Sequence, residues 1–313
     1  MRKKLDKLFD EFMVEYEYSK KLSPETIRGY KNTFQLFKKL MPTTETNTLT
    51  KSTVIAFFKE LETRDRIVGR NKHVKGVKSS TIATHRSKLH KFCLWLKENN
   101  IIKDDPFETM EYPNVKYEDK KFLKSDEINY IFGALYSVGW LNNFVKKRNI
   151  AIISTFLFTG LRKSELLGIK FNDIDIERKM LRVDARNSKS KIERYVPINR
   201  QLFISLKDYL EERKKLNYKT PYFFVSCNRD DGLKAIGLKH MVERLKEASG
   251  VNFHVHRFRH TFAVNLLNQG VDIAKLKQLL GHKDIRMTAS YVRCLPPSML
   301  RADLELLIID NLF

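Results

Sequence analysis

Cysteine is scarce in this chain. Its 313 residues hold three, Cys93, Cys227 and Cys294, widely separated and without zinc-ligand spacing. An odd count without a secretion signal fits a reducing compartment better than a disulfide framework. The start, MRKKLDKLFDEF, has no apolar signal core. Long hydrophobic runs are missing as well. IAIISTFLF at 150–158 is among the longest, and a bilayer takes about 20 apolar residues. Glycine and proline number only 12 and 8, which argues against disorder and low complexity. Acid is also in short supply. Against 37 Asp+Glu stand 59 Lys+Arg, a net charge of +22. Self-repulsion of that size is most simply offset by a polyanion, so nucleic acid is the expected partner. The excess is carried by both halves of the chain, like two jaws of a clamp on one polymer rather than a basic tail. The expectation is a cytoplasmic, nucleoid-associated protein.

What is present is mostly helix signal. Leu5, Leu8, Phe9 and Phe12 fall on one face of a helix over 5–18. Ser23-Pro24 opens a second helix, an N-cap followed by proline at the first position. It runs to about Leu40 and buries Ile27, Tyr30, Phe34 and Phe37. Arg28, Lys31, Gln35 and Lys38 form a cationic stripe on its other face. A third helix covers roughly 51–63, and RDRIVGRNKHVKGVK at 64–78 reads as a cationic loop. Ser79 or Ser80 then caps a helix to about Glu98, burying Ile82, Leu89, Phe92 and Leu96. Its opposite face carries Thr84, Ser87, Lys88 and Lys91, where phosphates or base edges could be met.

Residues 104–121, with two prolines and many charges, read as a linker. Ser125 caps the next helix, a long helix follows near 144–158, and strands are predicted at about 174–176, 180–185 and 193–198. NSKSK at 187–191 would tip the hairpin between the last two, and the pattern is helical again from about 234. The fold class expected is mainly α with a small β-sheet. An all-helical DNA-binding domain at 1–112 precedes an α+β domain, dominated by helices, at 113–313.

Four segments carry chemistry together. In TGLRKSEL, a helix stops at Gly160 and another starts at Arg162, with Glu165 one turn later to hold the guanidinium. The hairpin supplies a lysine, Lys189 or Lys191. HVHRFRH holds two H-x-x-R strings, His254/Arg257 and His256/Arg259. Leu280-Gly281-His282 precedes Tyr291, with Gly281 ending one helix and Asp284 able to cap the next, which would carry the tyrosine. Each residue alone is most often structural. Together they meet the needs of metal-free attack on a phosphodiester. Guanidiniums bind the charge gained by the nonbridging oxygens. A phenol only about 0.1% ionised at pH 7 needs help losing its proton. A deoxyribose oxygen leaves well only when protonated. The sequence has no cluster of carboxylates at metal-site spacing, which disfavours a two-metal nuclease.

With these boxes in order, the chain resembles the tyrosine recombinases, the group of phage integrases and Xer-type enzymes. TGLRKSEL is similar to the family's first-arginine box, HRFRHTFA to its H-x-x-R box and LLGHKDIRMTASYV to its histidine-to-tyrosine box. STIATHRSKLHKFCLWL resembles part of the core-binding domain, so the likeness spans nearly the whole chain. The resemblance selects His256/Arg259 over His254/Arg257 and, through IERYVPI, Lys189 over Lys191. Phe258 departs from the family's usual leucine, a packing change. The roles it implies are a phosphate clamp of Arg162 and Arg259, a further hydrogen bond from His282, and support of Arg162 by Glu165. Lys189 would protonate the leaving 5′ oxygen, and His256 would take or return the proton of Tyr291. Tyr291 would form a 3′-phosphotyrosine, attacked in turn by a 5′ hydroxyl of a partner duplex through a Holliday junction. Neither ATP, metal nor other cofactor is required.

The core-binding pattern begins within about ten residues of the start, which favours a compact recombinase acting at simple core sites of double-stranded DNA. Leu300, Leu304, Leu307 and Ile308 lie at helical spacing. The resemblance implies that this segment, 298–313, docks into a neighbouring protomer of a DNA-bound tetramer. The competing readings are a DNA-binding protein of the same fold that does not cleave, and a type IB topoisomerase-like enzyme that relaxes DNA with the same chemistry.

Overall fold

The computed structural model describes residues 4–68, 72–112 and 121–295. The chain divides into two compact units, Met1–Glu118 and Asp119–Phe313. Each has its own apolar core.

In the first unit, α1 (Leu5–Lys20), α2 (Pro24–Leu40), α3 (Lys51–Thr63) and α4 (Ser79–Glu98) surround an aromatic core. Phe9 stacks on Phe34 at 3.9 Å and meets Phe92 edge-on at 5.3 Å, the second a geometry that suits the ring quadrupoles. The α2 start follows its sequence signal. Ser23 Oγ accepts the Thr26 amide at 3.3 Å, and Pro24 occupies the first turn, where no amide is needed. At α4, Lys78 is the N-cap and Ser79 the first helical residue, so neither serine caps it.

Residues 64–78 are not simply a loop. Asp65–Val68 (β1) and Lys72–Lys75 (β2) pair as an antiparallel hairpin, Asp65 opposite Lys75 and Ile67 opposite His73. The cations conceal a short run of strand-forming residues whose polar faces give no apolar alternation. Part of the expected linker is also packed on this unit. Phe107 is buried, Asp105 bonds His90 Nε2 at 2.8 Å, and Arg86 donates to the Met110 carbonyl.

The second unit is built around α6 (Asn143–Thr159), buried on most sides between α8 (Arg200–Lys214) and α10 (Val255–Asn268). Consecutive buried residues Ile150–Ile153 explain why α6 reads as a continuous apolar run without an amphipathic face. A three-stranded antiparallel sheet, β3 (Ile174–Asp175), β4 (Met180–Val183) and β5 (Arg194–Pro197), lies in that order. Register pairs Leu181 with Val196 and Val183 with Arg194. The link from β4 to β5 holds a 3-10 turn, Ala185–Asn187, followed by the turn that carries Lys189. The unit also contains α5 (Ser125–Ser137), α7 (Lys163–Leu167), α9 (Ala235–Ser249), α11 (Ile273–Leu280) and α12 (Ile285–Ala289). At α5 the N-cap is Lys124, whose amide bonds the Glu127 carboxylate, so Ser125 is the first helical residue. Tyr291 is not carried on a helix. It follows the end of α12, at the entry to the 3-10 turn Val292–Cys294. The expected docking segment 298–313 lies outside the described residues. Among the described residues, no helix is long and apolar enough to cross a membrane.

Candidate active site

Helix ends deliver most of the site. Gly160 ends α6 in the left-handed region (φ 61°), and a Cβ there would stand 2.5 Å from the Phe262 ring. The chain reverses through buried Leu161, and Arg162 becomes the N-cap of α7. Glu165, three residues on, accepts the Arg162 amide at 2.8 Å with one oxygen and Arg162 Nη1 at 2.9 Å with the other.

Arg259, in the first turns of α10, is 1% exposed. Its guanidinium donates to the carbonyls of Gly160 and Leu280, each at 2.7 Å, and to His282 Nε2 at 2.9 Å. A guanidinium only donates, so Nε2 accepts there and the His282 proton sits on Nδ1, 2.9 Å from Thr288 Oγ1. Burial and the neighbouring Arg162 charge lower the Arg259 pKa to about 10, so it stays cationic at neutral pH. Tyr291 is 1% exposed, its hydroxyl 3.1 Å from His260 Nδ1 and its ring parallel to that of His282. Burial raises the phenol pKa, while Arg259 and Arg162 pull against that rise.

A cavity of about 520 Å³ gathers Arg162, Lys189, His256, Arg259, His282 and Tyr291 along its wall. All six catalytic candidates therefore line one space. Lys191 is not among the lining residues and takes a left-handed backbone (φ 52°). Arg257 points elsewhere, bonding the Phe122 carbonyl at 2.9 Å and Glu127 at 3.0 Å. The offset pair His254/Arg257 is thus not brought to the cavity. Among the described residues, no cluster of three or more His, Cys, Asp or Glu side chains could hold a metal.

Three groups that line or brace the cavity were not among the sequence candidates. Arg194, on the inward phase of β5, gives Glu165 two bonds at 2.8 and 3.1 Å and donates to the Leu279 carbonyl at 2.7 Å. Ser188 Oγ donates to the same carboxylate at 3.0 Å and bonds Ser190 Oγ at 2.7 Å, pinning both flanks of Lys189. Glu165 therefore ties three chain segments together rather than Arg162 alone. Its pKa falls to about 2, because Arg194 and Arg162 outweigh the cost of burial. His260 is the third, adjacent to Arg259 on the wall of the cavity. The only signal for Arg194 was an arginine at an inward strand position, between apolar residues two apart.

Gly281 explains the fit of Arg194. It closes α11 at φ 63°, and a Cβ there would lie 2.9 Å from Arg194 Nη1, an atom fixed by hydrogen bonds. Gly281→Ala is expected to cost about 1–3 kcal/mol from backbone strain and overlap, measured by urea unfolding. It should also slow catalysis by shifting the adjacent His282.

In the first unit, the residues expected to meet DNA divide in two. Arg28, Lys31, Thr84, Ser87 and Lys91 are exposed. Arg28 is 3.4 Å from Glu25, and Thr84 donates to the Ser80 carbonyl. Lys38 is turned to Asp6 at 3.2 Å. Lys88 lies over Gly29, where a Cβ would be 2.4 Å from its Nζ, and this burial lowers its pKa. Lys88 therefore helps pack α4 against α2.

Residues 121–296 match the phage integrase family, and residues 9–100 its N-terminal SAM-like domain. Tyrosine recombinase XerC of Bacillus pumilus is 30% identical over 302 residues, covering 93% of this chain and 92% of its own. The XerC of Bacillus subtilis is 29% identical over 293 residues, 91% of each chain. The Tn1549 transposon integrase, solved in complex with transposon right end DNA, shares the fold with a TM-score of 0.75 and 17% identity. That match covers 97% of this chain and 99% of the other. With the family match across the cavity-bearing unit and XerC relatives along most of its length, this chain belongs to the phage integrase family and is a tyrosine-type site-specific recombinase.

Proposed function

We propose that the chain cleaves and rejoins double-stranded DNA at specific core sites through a 3′-phosphotyrosine on Tyr291 and a Holliday-junction intermediate. The observation that carries this reading is one cavity lined by two arginines, a lysine, histidines and the buried tyrosine. Arg162 and Arg259 receive the nonbridging oxygens, and their charge binds the transition state more tightly than the ground state. For His282 to donate to phosphate, its proton must move to Nε2. Thr288 Oγ1 can donate or accept, so it suits either tautomer. Lys189 supplies the proton to the leaving 5′ oxygen. The ester to Tyr291 conserves the bond energy, so religation needs no external energy source.

The test uses duplexes selected by the protein from random-sequence DNA and nicked near the cleavage position. Covalent protein–DNA adduct should accumulate, and exchange should require two matching sites. Binding without adduct would favour a non-cleaving DNA-binding protein. Relaxation of supercoiled plasmid carrying one site would favour the topoisomerase-like reading.

Self-association into a tetramer on DNA, with residues 298–313 docking into a neighbouring protomer, belongs to the same proposal. An apolar cavity of about 390 Å³ lined by Leu157, Phe158, Phe262, Leu266 and Leu279 is a candidate receptor for those leucines. Removing 298–313 should spare binding to a single site and abolish cooperative pairing of two sites in gel-shift titrations. Unchanged pairing would count against this role.

A further inference from the structure

We propose that His260 is the general base that takes the Tyr291 proton during cleavage and returns it during ligation, a role that rests on the phosphotyrosine reading above. His260 and His256 are four residues apart on α10, so both point from one face of the helix toward the cavity. His256, in the first turn, is exposed. His260, one turn deeper, is half-buried, and its Nδ1 stands 3.1 Å from the phenol oxygen. That is within the reach required of a proton acceptor. The His256 ring meets His260 edge-on at 4.7 Å, which leaves His256 at the mouth, where DNA would enter.

The two flanks of His260 are fixed. Arg259 is held by two carbonyls, and Thr261 Oγ1 bonds both the Arg257 carbonyl and the Leu123 amide. Its imidazole is therefore presented to Tyr291 by a rigid stretch of backbone, as preorganised proton transfer requires. The titratable groups sharing the cavity are Arg162, Lys189, His256, Arg259, His282 and Lys283. Cys294, from the 3-10 turn, also faces the phenol. Histidine is the side chain that ordinarily changes charge between about pH 5 and 8.

The step balances. As the Tyr291 oxygen forms its bond to phosphorus, its proton passes to His260 Nδ1. The bond from phosphorus to the 5′ oxygen breaks, and that oxygen takes a proton from Lys189. In ligation the 5′ hydroxyl attacks, its proton returns to Lys189, and His260 reprotonates the departing phenol. No proton is consumed over the cycle.

The experiment is single-turnover adduct formation on the selected, nicked duplexes across pH 5.5–10, with full-length wild type, His260→Asn, His256→Asn and Tyr291→Phe. His260→Asn should be on the order of 10²–10⁴ slower at neutral pH. It should lose the fall in rate seen below neutrality, and its deficit should narrow as alkali ionises the phenol. His256→Asn should keep that fall. With a sulfur in place of the bridging 5′ oxygen, a leaving group that needs no acid, Lys189→Ala should recover and His260→Asn should not. His260→Gln carries the test if the Asn variant melts early. A wild-type rate and pH profile in both His260 variants, transfer of the defect to His256→Asn, or rescue of His260→Asn by sulfur would overturn the proposal. Adduct formation by Tyr291→Phe would instead overturn the phosphotyrosine reading.

Discussion

Tyr291→Phe is expected to fold, to bind DNA as the wild type does, and to form no covalent adduct. The ring is 1% exposed, and phenylalanine keeps its packing against Phe262, Leu280 and their neighbours. The loss is one hydroxyl, with its 3.1 Å bond to His260 Nδ1 and its hydrogen bond with Arg259, at about 1 kcal/mol of stability per bond. Chemistry loses its nucleophile altogether. Deletions of that kind cost on the order of 10⁴–10⁶ in rate. The comparison is a melting curve, a gel shift and a denaturing gel on the same preparation. A melting temperature far below wild type would show that the hydroxyl is structural. Adduct at the wild-type level would show that another residue attacks.

Glu165→Gln should produce the largest combined loss of stability and activity outside the catalytic groups themselves. Glu165 is 1% exposed and bonded to Arg162, Arg194 and Ser188. Neutralising it strands Arg194, itself 7% exposed, without its counter-charge. Breaking one side of such a pair costs about 3–5 kcal/mol. The arginine clamp and the serines flanking Lys189 lose a shared anchor, so cleavage should also fall. That fall should stay below the ~10²–10³ cost of deleting a transition-state donor outright.

The pH dependence gives a second readout. The Glu165 pKa drops from an ordinary 4.5 to about 2 in the folded chain. A depressed carboxylate stabilises the fold fully above its unfolded pKa, and this contribution is lost as pH falls toward the folded value. About 3 kcal/mol should therefore disappear between roughly pH 5 and pH 2. Urea unfolding at pH 7 and pH 3 should show a smaller acid-induced loss in Glu165→Gln than in wild type. Parallel losses in the two proteins would place the acid sensitivity elsewhere.

Much of the site was legible in the sequence because its parts sit at helix ends, which write themselves in local code. Gly160 before Arg162, and Gly281 with Asp284 around His282, mark the turns that hold side chains in place. The helical cores were legible for the same reason, since apolar periodicity is local. The strand pair 65–68 and 72–75 was missed because its cations gave no alternation to detect. Placement of Tyr291 beyond α12 was missed because the helix ends after five residues, at Ala289, with no glycine or proline to announce it.

The sequence by itself determined the chemistry: an anion-binding chain with arginines, a lysine, histidines and a tyrosine in recombinase order. Tertiary structure alone decided which of them meet. Arg194 lies 29 residues from Glu165 and 85 from Leu279, and packing joins all three at one buried carboxylate and one carbonyl. His260 and Tyr291 are 31 residues apart and share a hydrogen bond only because α10 faces the turn after α12. Tyr291 thus has a hydrogen-bond partner, His260, that the motif order did not name. The physical reason is simple. Periodicity and capping act over a few residues, whereas a buried charge or a buried phenol takes its partners from wherever the core brings them.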